Sequence, residues 1–360
     1  MDKDKYVGMD VHKAMTVVAV LDGSGRLVAE AIIETRSETI KDFVRGLSGK
    51  IHLTFEEGTQ SAWLYELIKP LVAELIVCDP RRNKLMAMGN KSDKVDAKKL
   101  AELLRAGSLN GVYHGDAGTK KLKEVVRLYL TLMSDAIRVM NRIKAIYRGR
   151  GIATTGASVY RAESRLAWIA HILDEGSRVR LEALYRQLDF LSEQRKHARR
   201  EVVTEVRRHA AYRILNQIPS LGPIRIAIII AVVVSPHRFR TKRQFWPYCG
   251  FGVVTVTSSE YVTINGKICR SKKPAGTRGL NHNYNRHLKS VFKDAAQYAS
   301  RKPPFKQHYD RLIAKNMRKQ MAMLTLARKI SAITLAVWKA EDCFDSDRLS
   351  NPDKVKEVVA

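Results

Sequence analysis

The sequence predicts an α/β N-terminal domain, a helical coiled-coil middle and a mainly α C-terminal domain, and three observations predict it. Residues 1–110 alternate β-branched runs with stretches of helical spacing. From Lys121 onward, apolar residues at Leu122, Val125, Tyr129, Leu132, Ala136, Val139, Ile143 and Ile146 hold an alternating three–four spacing, the pattern of a coiled coil or a long bundle helix. After Tyr212, turn-rich and helical segments alternate, opening with LNQIPSLGPIRIAIIIAVVV. With 360 residues and 45% hydrophobic content, the chain has room for two or three packed domains. The expected divisions are 1–110, 111–210, 211–342 and a polar tail at 343–360.

Within the first domain, Tyr6 to Asp22 is rich in β-branched residues and is followed by the turn DGSG and a second strand, RLVAEAIIET, giving a hairpin. Helical spacing follows in SETIKDFVRGL, then a strand IHLTF, a helix SAWLYELIKPLV, a strand ELIVC and a helix from Lys94 to Ala106. Spacing alone supports a mixed α/β domain, and the element order is that of a ribonuclease H-like fold. In the middle region a second apolar row, Leu181, Leu184, Leu188 and Leu191, follows a turn at GRGIATTGAS. A two-helix spacer and a self-association device both fit this periodicity. Pro-Ser-Leu-Gly-Pro ahead of the apolar helix at 226–234 resembles a helix-hairpin-helix, in which a tight turn brings backbone N–H groups to a phosphate. A plain core hairpin fits the same residues. The stretch Arg301–Trp338 is again helical and basic.

Charge divides the chain. Its 64 Lys and Arg against 36 Asp and Glu give a net charge of +28. Residues 1–110 hold 17 basic and 16 acidic side chains, whereas residues 111–360 hold 47 and 20. Such a basic remainder attracts polyanions, and nucleic acid is the expected partner. Lys267, Arg270, Lys272, Lys273, Arg278 and Arg286, in a turn-rich segment, are the candidate phosphate contacts. The four cysteines show no paired spacing, so a zinc site or disulfide framework is not expected. The longest apolar run, Ile226 to Val234, is too short to span a bilayer, and no signal-peptide core is present. A soluble, intracellular, nucleoid-associated protein with no membrane partner is expected.

The near-neutral front domain carries the candidate chemistry. Asp10 sits mid-strand in VGMDVHK, where a carboxylate is costly to bury unless it pairs or binds a cation. Glu56 and Glu57 end the strand IHLTF, and strand alternation lets only one of them share a face with a site. Asp93 and Asp96, three apart at a helix start, lie on one face of that helix. They equally suit an N-cap with a first-turn acid. Together these acids form an oxygen-rich set suited to Mg2+, where two ions about 4 Å apart could serve phosphoryl transfer.

The series VGMDVHK, TFEEGTQSAWL, VCDPRR and KSDKVDAKKLAELL is similar to the N-terminal domain of one insertion-sequence transposase family, whose Holliday-junction-resolvase-like (RuvC-like) domain carries a DEDD acid set. The later stretch from Ile214 to Val262 resembles the C-terminal domain of the same family. The resemblance places the acid set on Asp10, Glu56, Asp93 and Asp96, with Glu57 an alternative because Glu-Glu-Gly-Thr stands where members commonly have Glu-Ala-Thr-Gly. It places a catalytic serine on Ser258, with Ser259 standing where a glycine is usual and remaining an alternative. It implies recombination through a phosphoserine bond with Mg2+ as cofactor, and target and donor DNA as substrates. A structured guide RNA from the element and a homo-oligomer, dimer or tetramer, are also implied. A junction resolvase using water as nucleophile is the alternative on the acids alone.

Overall fold

The computed structural model describes residues 4–80, 92–114, 117–256, 261–264, 267–270, 276–346 and 349, with only the backbone at 117, 256, 261–264, 268, 270, 277 and 278. The chain divides into two compact units, Met1–Gly115 and Asp116–Ala360.

The first unit is a five-stranded mixed sheet in the order β3-β2-β1-β4-β5. Its strands are β1 (Asp4–Val11), β2 (Met15–Asp22), β3 (Leu27–Glu34), β4 (Lys50–Glu56) and β5 (Glu74–Cys78). Its helices are α1 (Ser37–Gly46), α2 (Ser61–Ile68) and α3 (Asp93–Arg105). The stretch Tyr6–Asp22 is two strands rather than one: His12 N–H closes onto the Met15 carbonyl at 3.0 Å, and β1 then pairs antiparallel with β2. β1 runs parallel to β4, and β4 parallel to β5. α2 stops where Pro70 enters the following 3-10 turn, shorter than the helix read from SAWLYELIKPLV.

Alternation sorts the sheet into two faces. Val7, Met9, Leu53 and Phe55 join the core that holds Ile40 and Val44 of α1 and Leu64 and Ile68 of α2. Gly8, Asp10, Thr54 and Glu56 therefore point to the other face, where α3 packs on β1, β2 and β4. Gly8 is where α3 comes closest: a Cβ there would stand 2.1 Å from the Ala97 carbonyl oxygen and 2.6 Å from the Ala101 nitrogen. Only glycine permits that approach, which holds the start of α3 over the end of β1.

The second unit opens with α4 (Lys120–Arg148), a short α5 (Arg165–Ala170) and α6 (Glu175–Val206). α4 and α6 pack antiparallel: Lys121 pairs with Glu205 at one end (3.0 Å) and Arg150 with Asp174 at the other (2.9 Å). The three–four row read from the sequence is largely consumed inside this hairpin. Ala136, Val139, Ile143 and Ile146 are buried with Leu181, Tyr185, Leu188 and Leu191 of α6. Leu122 joins the next core with Val202 and Val206. The bundle-helix reading thus describes α4, whose seam is filled by the same chain.

Around the hairpin's other end, α7 (Ala210–Leu215) and α8 (Pro223–Val233) flank the turn that contains Pro-Ser-Leu-Gly-Pro, with Gly222 at the N-cap of α8 and Pro223 following it. α8 is buried almost throughout and sits in the core with α9 (Lys242–Tyr248), α10 (Arg286–Ala299), α11 (Phe305–Ala314) and α12 (Lys319–Ala340). Two small antiparallel pairs intervene, β6 (Val253–Val256) with β9 (Gly276–Leu280) and β7 (Tyr261–Ile264) with β8 (Lys267–Arg270). Among the described residues α12 alone is long and apolar enough to cross a membrane by length and composition. Its Leu326, Ala327, Ile330 and Leu335 are buried in this core.

Candidate active site

Four carboxylates meet on the α3 face of the first unit. β1 delivers Asp10 one alternation beyond Gly8, and β4, in parallel register with Gly8 opposite Thr54, delivers Glu56 one alternation beyond Thr54. α3 delivers Asp93 and Asp96 from its first turn, where the Ser92 side chain caps the helix by accepting from the Val95 N–H at 3.3 Å. Asp10, Glu56 and Asp96 are half-buried, whereas Asp93 is exposed.

Mutual repulsion is legible in their protonation. Burial pushes the Asp10 carboxyl up, and Asp93 and Asp96 push the same way, against an opposing pull from His12. Burial also raises Glu56, with Asp10 and Asp96 adding to it. Carboxylates crowded in this way are stabilised by a cation.

The sequence reading did not single out His12. Its Nε2 lies 3.3 Å from Asp10 Oδ2 and 3.4 Å from Asp93 Oδ2, so it bridges a strand acid to a helix acid. Asp10, His12 and Asp93 can each offer a ligand atom within 4.8 Å of the others. The signal was present as Asp-x-His at the end of a strand, where two residues of spacing return the side chain to one face. The residues fit a divalent cation on a further observation: Asp96 Oδ1 is buried and has no hydrogen-bond partner among the described residues, with Lys99 Nζ 4.0 Å away. A hard oxygen with no donor, beside three more carboxylates, matches the ligand preference of Mg2+.

Glu57 is used differently. Its carboxylate lies 2.8 Å from His114 Nε2, and the His114 ring stacks on Tyr65 with centroids 4.6 Å apart. Its backbone N–H is held by the Cys78 carbonyl at 2.9 Å.

The basic candidates are scattered among small elements. Lys267 is exposed where β8 begins opposite Ile264, Arg270 ends β8 opposite Tyr261, and Arg278 lies within β9. Arg286 is exposed as the first residue of α10, after the Asn285 cap. Lys272, Lys273, Ser258 and its alternative Ser259 lie outside the described residues.

Comparison with known proteins matches this architecture. The DEDD-type transposase domain of IS110 elements matches residues 7–149, which contain all four carboxylates, and a profile described as "Transposase IS116/IS110/IS902 family" matches residues 212–310. Both matched profiles describe IS110-type transposases, and they fall in succession along the chain. Among curated relatives, the transposase for insertion sequence element IS1533 of Leptospira borgpetersenii is 33% identical over 111 residues, 29% of this chain and 32% of the relative. A candidate transposase, y4qE, of Sinorhizobium fredii (strain NBRC 101917 / NGR234) is 28% identical over 131 residues, 35% of this chain and 34% of the relative. The chain thus spans about a third of the length of the curated relatives it matches.

Proposed function

We propose that this chain is a DNA transposase that cuts and rejoins strands at the ends of an insertion sequence, with Asp10, Glu56, Asp93 and Asp96 as its metal-holding set. The observation that carries the reading is the convergence of these acids on one face, in a chain that two transposase profiles match. The strand order β3-β2-β1-β4-β5, with helices on both faces, supports a RuvC-like reading of the first unit. Domain divisions at 1–110, 111–210, 211–342 and 343–360 remain part of the proposal, as does a helix-hairpin-helix role for the α7–α8 turn.

Mg2+ held there would stabilise negative charge on the oxygens of a scissile phosphate. Asp10 and Glu56 hold the strand side of the set, Asp93 and Asp96 the helix side, and His12 orients Asp10 against Asp93. Ser258 is the proposed nucleophile. Its hydroxyl releases its proton as the oxygen bonds to phosphorus, the scissile P–O bond breaks, and the leaving strand oxygen takes up a proton in exchange. Rejoining reverses the step with a new strand oxygen as nucleophile. The net basic charge of residues 111–360 supports target and donor DNA and a structured guide RNA as partners in the cell interior. Lys267, Arg270, Lys272, Lys273, Arg278 and Arg286 are proposed phosphate contacts, and a dimer or tetramer is the proposed assembly.

The test is a denaturing gel of the full chain with Mg2+ and DNA carrying both recombination sites, with and without the element's RNA. A protein–DNA adduct that Ser258→Ala abolishes, while nucleic-acid binding survives, supports the reading. Nicked products without an adduct would favour a resolvase using water, and full recombination by the Ser258→Ala variant would remove the serine from the mechanism.

A further inference from the structure

The second unit encloses a cavity of about 440 Å3 bounded by α9, α12 and residues of α11. Its wall is apolar where Trp246, Ala332, Ile333 and Phe344 line it, and basic where Arg240, Lys242, His308 and Lys329 do. Two further cations on it are already engaged. The Arg328 guanidinium donates to the Phe251 carbonyl at 3.0 and 2.8 Å, and Lys339 Nζ donates to the Arg240 carbonyl at 3.1 Å. Asp342 and Asp345 also line the cavity, but among the described residues neither Lys329 nor Lys242 is in an ion pair with a carboxylate.

Lys242, His308 and Lys329 come from three separate helices, α9, α11 and α12, and meet on this wall. Burial lowers the Lys329 ammonium, and Lys242 and Arg311 lower it further. Burial likewise lowers His308, with Lys329 and Arg311 adding to it. Like charges gathered in a half-buried space are costly unless an anion joins them. A bare phosphate would use the cations and leave the apolar wall idle. A ligand with a flat apolar body joined to a phosphate uses both, and a cavity of this size accommodates a nucleobase.

We infer that this cavity holds one unpaired nucleotide of a single-stranded nucleic acid, its base against the apolar wall beside Trp246 and its phosphate on Lys242, His308 and Lys329. The inference rests on the nucleic-acid reading above and adds a site in the second unit that distinguishes single strands from duplex. Base stacking and a backbone cation act together in such sites, and neither requires a particular sequence.

The experiment uses the full chain in EDTA with a fluorescein-labelled 12-nucleotide DNA strand, the same RNA strand and the matched DNA duplex. Inorganic phosphate and a nucleoside monophosphate serve as competitors. Ala332→Phe, which fills the cavity, is expected to weaken single-strand binding by about tenfold and leave duplex binding unchanged. Lys329→Met is expected to weaken single-strand binding and reduce its salt slope by about 0.7. The monophosphate is expected to compete better than phosphate, and the DNA and RNA arms tell which strand the site prefers. Unchanged single-strand affinity in an Ala332→Phe protein that melts like the parent overturns the inference. So does phosphate competing as well as the monophosphate, or an unchanged salt slope in Lys329→Met, and these two readouts decide the matter should Ala332→Phe fold poorly. Loss of strand cleavage chemistry with the single-strand preference intact would remove the transposase reading and leave this site standing; the reverse outcome would remove only this site.

Discussion

His114 Nε2 stands 2.8 Å from the Glu57 carboxylate, and this pairing gives Glu57, the alternative to Glu56 in the sequence, a partner of its own. Glu56, one residue earlier on β4, is the one whose carboxyl is raised by Asp10 and Asp96. Glu56→Gln is therefore expected to reduce Mg2+-dependent strand cleavage by more than about a hundredfold, since even groups that only orient a ligand contribute about 10–100-fold. Glu57→Gln is expected to stay within a few-fold of the parent. Single-turnover cleavage of a labelled strand measures both, and equal losses would place Glu57 in the site as well.

The raised carboxyls of Asp10 and Glu56 give a pH signature in the metal-free protein. Folding favours their protonated forms, so their contribution is fully present below the ordinary values of 3.8 and 4.5 and is lost as pH rises through the raised ones. In EDTA, the melting temperature of an Asp10→Asn, Glu56→Gln double variant should exceed that of the parent near neutral pH. The gap should close as pH falls toward about 4. Added Mg2+ should raise the parent's melting temperature and not the variant's, because only the parent keeps the set that binds it. A gap that widens on acidification would contradict the crowding of these acids.

Gly8 ties the sheet to the helix that carries half the acids. A methyl group there would collide with the Ala97 carbonyl and the Ala101 nitrogen, which are backbone atoms that move only with α3. Gly8→Ala is expected to cost about 1–3 kcal/mol or more, as overpacking does. It should also abolish the Mg2+-induced rise in melting temperature, because Asp93 and Asp96 would shift with the helix. Differential scanning calorimetry with and without Mg2+ reads both effects, and a variant that keeps both would show that α3 is placed by other contacts.

The buried row of α4 makes a separate prediction. Ile143 is fully buried against α6, so Ile143→Ala is expected to destabilise the second unit by about 2–5 kcal/mol at any protein concentration. Urea melts at two concentrations a hundredfold apart check this. A loss that depends on concentration would place the row between protomers instead.

The sequence by itself determined the element order, the two rows of apolar residues and the acid types, because each is local. Strand alternation at Leu53, Thr54, Phe55 and Glu56 already required that only one glutamate share a face with Asp10. Asp93 and Asp96 on one face of α3 followed from helical spacing in the same way. What local pattern could not supply were pairings across long stretches of chain. That β1 lies beside β4, that His114 reaches back to Glu57, and that α6 fills the seam of α4 depend on contacts between residues distant in sequence. His12 was missed for the same reason. Its value comes from Asp93, 81 positions away in the chain and 3.4 Å away in the fold, and only the assembled sheet and the packing of α3 at Gly8 bring the two together.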